Sequence, residues 1–504
     1  MKQRIVNIVP YLLLGLLGAF LLTWKIGTYP LLWYDEGSRL NLSRTLAETG
    51  NYATYSSDGF QPFNAWVIAN PVDILATAGA MLIFGKEVTF LRLATVPFSL
   101  LGMILIAVLA VRLFGKRAGW VATLTVFAVP PLMGSGYLLL GRQNLSDNTS
   151  ITMFILSLLL WFKAWDMRKM VYSWLGGALL GLGIISNFQL MLWVIPAMGM
   201  IWLVRWLQNR KRSGGEISFI ISAIIIIIGW YGLSFLLMPA PMRELNWVTL
   251  IESAYQQLFN GLSGKIVTTT SLVMFFVMVL TSLVTIMDLF QLPWKQWFSN
   301  SYHWKIATIG LSILLCAFWY FFFSIGWPRY AYAGWILTLM LFGWWGYRVG
   351  LWLTNRITNN NQQLMSRVHW VMIACLVGIM VSAYGIPLLS VNGPAPAEQM
   401  AHFIDTNLPP EAMIETTEME LFGISNHWEF HYPSYKYILD ATKQIYFERR
   451  SPQIPYSPIV ANPDYLITGT LSDWIGLYWN SGIMETEFNK IAEFPPYQIF
   501  QRVR

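Results

Sequence analysis

Apolar residues run along this chain in long blocks separated by short polar breaks. The pattern shows neither the period of two of a half-buried strand nor the narrow stripe of a surface helix. A helix needs about 20 apolar residues to cross the hydrocarbon core of a bilayer. That rule predicts about eleven spans, near residues 6–26, 88–113, 118–138, 149–165, 171–187, 189–207, 217–238, 269–289, 306–325, 331–350 and 369–390. The first block follows Lys2 and Arg4 as in a signal peptide, but no small-x-small cleavage site comes after it, so it reads as a retained helix. Two shorter stretches, Leu40–Leu46 and Val72–Phe84, have helical spacing. They are expected to lie along the membrane interface, with Trp66 at headgroup level; the alternative, Val72–Phe84 as a true span, would move every later loop to the other side and break the bias of Lys and Arg toward one side.

The pattern changes after Leu389. Residues 391–504 hold no apolar block of span length and are richer in Pro, Glu, Asp and Tyr. Helical spacing over Gln399–Thr406, short strands at Ala412–Thr416 and Tyr465–Thr468, and turns at Pro433, Pro455 and Pro463 predict a small α/β domain outside the membrane. The expected organisation is therefore mainly α: a transmembrane bundle over residues 1–390 and a C-terminal extracytoplasmic domain over 391–504.

Composition sharpens this. The chain is 55% hydrophobic and 12% charged, where a soluble protein carries about 25% charged residues. Its 33 Lys and Arg exceed its 26 Asp and Glu, but no basic cluster with interleaved aromatics points to nucleic acid. The cations instead sit between apolar blocks: Arg112, Lys116, Arg117, Arg168, Lys169, Arg205, Arg210, Lys211, Arg348 and Arg356 fall on one side if the N-terminus is inside. The positive-inside rule then puts the N-terminus in the cytoplasm and the C-terminal domain outside. Cys316 and Cys375 both lie in apolar blocks and read as packing residues.

With that orientation, three outer segments carry the candidate chemistry. A long loop over about residues 27–87 opens on Trp33-Tyr34-Asp35-Glu36-Gly37, two adjacent carboxylates at a membrane boundary. A short loop, Gly141-Arg142-Gln143-Asn144-Leu145-Ser146-Asp147-Asn148, adds Arg142 and Asp147; a third, Trp327-Pro328-Arg329-Tyr330, adds Arg329 and Tyr330. An ionised carboxylate in a dry site can take a proton from a hydroxyl, and Arg forks around phosphate oxygens. The set suits transfer of a group from a lipid phosphate to an alcohol. Plainer readings stand beside it: Asp35 and Asp147 also suit the first turns of helices, and Arg329 also suits an interfacial anchor. Glu244 and Glu252 read as solvated loop carboxylates. His427, Glu429 and His431 alternate as metal ligands on a strand would, but two imidazoles and one carboxylate in a loop-rich tail favour a structural reading.

The stretches WYDEGSRLNLSRTLAETGNYAT, ANPVDILATAGAMLIFGKEVTFLRLATVPFSLLG, GRQNLSDNTSITMFILSLLL, WPRYAYAGWILTLMLF and PAEQMAHFIDTNLPPEAMIETTEMELFG, in this order and spacing, resemble the polytopic GT-C glycosyltransferases, in particular the bacterial family 39 or protein-mannosyltransferase-like group. The resemblance implies an inverting transferase of the bacterial inner membrane, with its site facing the periplasm or cell exterior. The implied donor is a polyprenyl-phosphate sugar, with neither cofactor nor metal, and the acceptor is a hydroxyl on a glycolipid, envelope polysaccharide or protein. Asp35 matches the first-loop base, and Asp147 matches the second-loop acid that helps to organise the acceptor or the first loop. Glu36, Arg142, Arg329 and Tyr330 are implied to bind substrate, with Arg329 and Tyr330 near the donor phosphate. Two departures stand out: Ser186-Asn187-Phe188 where many relatives have a lysine, and Ala69-Asn70-Pro71-Val72-Asp73 where some have a His-Pro-Pro turn. The other function classes open to such a chain are a transporter of lipid-linked sugars and a scaffold without chemistry.

Overall fold

The computed structural model describes residues 2–62, 71–130, 136–209, 214–241, 243–244, 269–290, 301–324, 326–358, 362–391, 393–446, 448–479 and 483–503. Trp66, Asn70 and Glu252 lie outside them. The N-terminal part is mainly helical: α1 (Lys2–Thr23), α2 (Tyr34–Thr49), a hairpin β1 (Ala53–Ser56) and β2 (Gly59–Pro62), α3 (Pro71–Phe84), α4 (Val88–Leu93) and α5 (Val96–Phe114). Next come α6 (Lys116–Ala128), α7 (Tyr137–Leu140), α8 (Asp147–Met167), α9 (Met170–Ser186), α10 (Gln189–Asn209) and α11 (Gly214–Leu237). Four long helices follow: α12 (Thr269–Phe290), α13 (Ser301–Phe322), α14 (Tyr332–Thr358) and α15 (Gln362–Ser390).

Among the described residues, 8 helices are long and apolar enough to cross a membrane, and α3, α9 and the Ile8–Thr23 part of α1 are shorter apolar helices. The span expected at 118–138 is not one described helix, and its residues 131–135 lie outside the described ones. Its helix, α6, stops at Ala128 after 13 residues, about 20 Å of helix and too short to cross alone. The chain before Pro130 leaves helical geometry at Val129 (ψ 123°), as the residue preceding a proline does. α8 and α9 are separated by Arg168 in the left-handed region, and α9 and α10, whose expected spans nearly touch, are separated at Asn187, which is extended (φ −147°, ψ 98°). Small residues let α9 and α11 meet backbone to backbone: a Cβ on Gly177 would stand 2.0 Å from the Phe219 carbonyl oxygen, and one on Gly181 2.7 Å from Ile226 Cβ. Helices associate in this way where burial of apolar surface gives no net drive.

The C-terminal residues form α16 (Pro396–Asn407), β3 (Ile414–Thr416), α17 (Glu420–Ile424), β4 (Phe430–His431), α18 (Tyr435–Tyr446), β5 (Tyr465–Thr468), α19 (Thr470–Ile475), α20 (Ile483–Glu487), β6 (Phe488–Phe494) and β7 (Tyr497–Arg502). The five strands lie in the order β4-β3-β5-β7-β6. β3 pairs in parallel with β4 and β5, while β7 is antiparallel to β5 and β6. α16 covers one face through Ala397, Met400, Ala401 and Ile404, spaced as an amphipathic helix requires.

The buried residues of one cluster on this sheet are all C-terminal, among them Ile438, Leu466, Ile475 and Phe500, but the other cluster is shared with the N-terminal part. Leu32, Leu40 and Met81 of the first loop and Val88 and Leu91 of α4 pack in one apolar cluster with Met400, Ile404, Leu421, Phe422 and Ile467. The interfacial placement expected for Leu40–Leu46 is therefore corrected: α2 is enclosed by protein, with Leu40, Asn41, Leu42, Ser43, Arg44 and Thr45 all buried, packed between α3 and α17. α3 keeps an exposed apolar face of Leu75, Leu82, Ile83 and Phe84.

Candidate active site

Everything at the site is hung on α2. Its first turn carries Asp35 and Glu36, where carboxylates favour the positive end of the helix dipole. Its last turn closes on Gly50 at φ 75°, a conformation that suits glycine. The two adjacent carboxylates point to different places. Asp35 Oδ2 accepts from Arg329 Nη1 at 2.5 Å, and the same guanidinium donates through Nε to Asp147 Oδ2 at 3.0 Å. Arg329 Nη2 stands 2.9 Å from that Asp147 oxygen. One arginine thus joins the two acids, from segments far apart in sequence. The environments differ: the Asp35 side chain is 31% exposed, that of Asp147 2% and that of Arg329 21%. Neither acid serves as a side-chain cap of its helix. Tyr330 stands next to Arg329 and against Trp327, ring centroids 5.9 Å apart.

Glu36 is elsewhere. Its carboxylate is fully buried in a two-pronged pair with Arg92, Nε to Oε1 at 2.9 Å and Nη2 to Oε2 at 2.6 Å, and Oε1 also accepts the Asn144 N–H at 2.7 Å. The expectation that Glu36 binds substrate is corrected: its oxygens are taken and water does not reach it. The remaining Arg92 nitrogen donates to the Ile26 and Pro30 carbonyls, so the pair ties α2 to the end of the first helix and to the second loop. Removing one partner of a buried pair leaves an uncompensated charge, at a cost of about 3–5 kcal/mol. Glu36→Ala is therefore expected to lower the thermal unfolding midpoint in detergent sharply, and Glu36→Gln less so. An unchanged midpoint in Glu36→Ala would show that the pair is idle.

Arg142 is corrected in the same way. It is buried, and its guanidinium donates to the carbonyls of Leu21, Trp24 and Tyr29 at 2.5, 2.7 and 2.9 Å, with Nε to Tyr29 at 3.1 Å. It caps the C-terminal end of α1, where unpaired carbonyls and the helix dipole favour a cation. His427 and His431 also diverge: His427 Nε2 meets the Ala412 carbonyl at 2.7 Å, while His431 Nδ1 meets the buried Glu415 carboxylate. No group of three or more His, Cys, Asp or Glu among the described residues could hold a metal ion.

Residues that sequence reading passed over complete the site. Arg39, one helical turn after Asp35 on α2, donates through Nη2 to Ser146 Oγ at 2.9 Å. Its buried Nη1 has no hydrogen-bond partner among the described residues. Burial and the neighbouring Arg329 cation lower its pKa, opposed by Asp73, Asp147 and Asp35. Asp73 is buried on α3 and accepts from Thr149 Oγ1 at 2.5 Å. Spacing could have pointed to Arg39, because positions i and i+4 share a helix face. Nothing in the sequence pairs Arg92 with Glu36.

Residues 69–231 match the family model of dolichyl-phosphate-mannose-protein mannosyltransferases. No curated protein matches the chain. Among solved structures, ArnT from Cupriavidus metallidurans bound to undecaprenyl phosphate is similar over 98% of both chains, at 15% identity and a TM-score of 0.61. The archaeal oligosaccharyltransferase AglB from Archaeoglobus fulgidus, in complex with an inhibitory peptide and a dolichol-phosphate, matches all of this chain and 75% of its own, at 11% identity and a TM-score of 0.52. With its apolar helices and these neighbours, the chain is a multi-pass membrane protein with the GT-C fold.

Proposed function

We propose that this protein is an integral-membrane glycosyltransferase. It moves one sugar from a polyprenyl-phosphate donor to an acceptor hydroxyl on a glycolipid, an envelope polysaccharide or a protein, at the non-cytoplasmic face of a bacterial inner membrane. The observation that carries the reading is the Asp35–Arg329–Asp147 bridge: a partly open carboxylate and a buried one held together by one guanidinium. ArnT with undecaprenyl phosphate and AglB with dolichol-phosphate share the fold, which supports a lipid-phosphate donor.

In this reading Asp35 takes the proton of the acceptor hydroxyl as its oxygen attacks the anomeric carbon from the face opposite the phosphate. The bond from that carbon to the phosphate oxygen breaks, its electron pair leaves with the polyprenyl phosphate, and the anomeric centre inverts. The charge growing on the leaving phosphate is met by guanidinium N–H groups rather than by a metal ion. Arg329 and the unpartnered Nη1 of Arg39 supply them. Asp147, buried at the start of α8, holds Arg329 in place and, with it, the orientation of Asp35.

The test is transfer by the purified protein in nanodiscs supplied with polyprenyl-phosphate sugars and extracted acceptors. Sugar-dependent release of polyprenyl phosphate is expected, together with accumulation of the lipid-linked donor in a strain lacking the protein. Unchanged lipid-linked and acceptor glycans in that strain would sink the reading. Movement of the intact donor across proteoliposomes, with no bond cleaved, would favour the transporter class.

A further inference from the structure

The groups assigned to chemistry lie before Tyr332, yet the helix bearing Asp35 is gripped from the other side by the C-terminal residues. The contact between α2 and α17 is unusually close. A Cβ on Gly37 would stand 2.3 Å from the Glu420 backbone nitrogen, 2.8 Å from its Cα and 2.9 Å from its Oε2. A Cβ on Gly423 would stand 2.4 Å from that of Leu40. The two glycines alternate with Glu420 and Leu40 across the contact, so each backbone sits in the gap where the other lacks a side chain. Further along α2, Arg44 fixes the same contact by donating to the carbonyls of Phe422, His427 and Asn426 at 2.6, 2.9 and 3.2 Å. Its guanidinium lies over the rings of Phe422 and Trp428.

Glu420 is the polar centre of this contact. It is fully buried, and its Oε1 accepts from the Tyr497 hydroxyl at 2.9 Å. Glu418, two residues earlier and also fully buried, caps α19 by accepting from the N–H groups of Leu471 and Ser472 at 3.0 and 2.9 Å. Two carboxyls buried side by side do not both ionise at neutral pH. Gly37 itself lies two residues beyond Asp35 and one beyond Glu36, the residue tied to Arg92. A shift of α2 at this point is a shift of Asp35.

We propose that Glu420 is a positioning residue for transfer: through Gly37 it sets where α2 stands, and hence where Asp35 meets the acceptor hydroxyl. The inference rests on the reading of Asp35 as the base. It makes the C-terminal residues part of the catalytic apparatus without their touching substrate. It also requires Glu420 to act as the neutral acid, for a carboxylate there would face the one charge that Glu418 keeps. The groups facing it are Glu418 beside it, Tyr497 on β7, Tyr34 on α2 and Tyr432 after β4, with Glu36 reaching Tyr497 from α2. Burial and the Glu418 charge hold the Glu420 carboxyl well above the usual carboxylate range.

The experiment compares Glu420→Ala and Glu420→Gln in the full-length protein, reading kcat and KM at pH 7 and hydrogen exchange of the α2 amides. A displacement of about 1 Å can cost on the order of 100-fold in rate. Glu420→Ala is expected to lower kcat by about 10- to 100-fold with donor KM unchanged, and to speed exchange at Gly37–Asn41. Glu420→Gln, which matches the neutral acid in size and charge, is expected to keep wild-type kcat at pH 7 and wild-type exchange of the α2 amides. Loss in Glu420→Gln equal to that in Glu420→Ala would overturn the proposal, and so would unchanged α2 exchange in Glu420→Ala. Should Glu420→Ala fail to fold, Glu420→Gln decides alone: a kcat at pH 7 far below wild type, or faster exchange of its α2 amides, refutes the neutral brace. Faster α2 exchange in Glu420→Ala, together with a wild-type protein that transfers nothing, would support the docking of α2 and remove the assignment of Asp35 instead.

Discussion

Asp35→Asn is expected to lower transfer by about 100- to 10,000-fold, the usual contribution of a general base, while the protein still inserts and folds. Asparagine keeps the size of the side chain and one acceptor oxygen for Arg329, but it cannot take the acceptor's proton. Folding should survive because the Asp35 side chain is 31% exposed and its partner keeps Asp147. A pair with one member open to solvent contributes on the order of 1 kcal/mol or less. The measurement is kcat at saturating donor and acceptor, set beside the thermal midpoint in detergent. Undiminished turnover would remove Asp35 from the chemistry. A fall in the midpoint matching the fall in rate would make it a structural residue.

Arg329→Ala should do more damage, and of two kinds. It leaves Asp147, 2% exposed, as a buried charge without its cation, at a cost of about 3 kcal/mol. It also removes the guanidinium nearest to where the donor phosphate is proposed to sit, so donor KM is expected to rise by about tenfold or more, with acceptor KM changed less. Arg329→Lys should restore little, because one ammonium cannot reproduce the planar fork that reaches both Asp35 and Asp147. The two effects can be separated. Arg329→Met combined with Asp147→Leu removes the buried charge along with its partner, and such replacements are commonly neutral or stabilising. The double variant is expected to regain the thermal midpoint and to remain inactive. Full stability and full turnover in Arg329→Ala would show that the bridge does nothing.

The candidate site was legible in part. Asp35, Asp147 and Arg329 were each marked by a charged residue sitting at the mouth of an apolar block, where the cost of desolvation makes it unusual. The same mark misled for Glu36 and Arg142, which also sit at such mouths. Both turned out to hold the frame, Glu36 against Arg92 and Arg142 against the open carbonyls of α1. Sequence position says that a charge stands at the boundary. It does not say whether the charge faces an opening or a neighbouring carbonyl.

By itself the sequence determined the membrane class, most of the helices and the mixed α/β character of the tail. Each of these follows from properties local to a stretch: run length of apolar residues, period of three to four or of two, and the punctuation of Gly and Pro. Pro130 also shows the limit of run length, since the apolar stretch over 118–138 continues past a point where the backbone does not. Only the tertiary structure decided which charges meet. Arg329 reaches Asp35 across 294 positions and Asp147 across 182, and Arg44 reaches Phe422 across 378. Such pairings depend on how the helices and the C-terminal sheet pack, and packing is settled by shape, as where Gly37 and Gly423 let two backbones touch. No short stretch of sequence carries that information, because neither half of the contact has a pattern of its own.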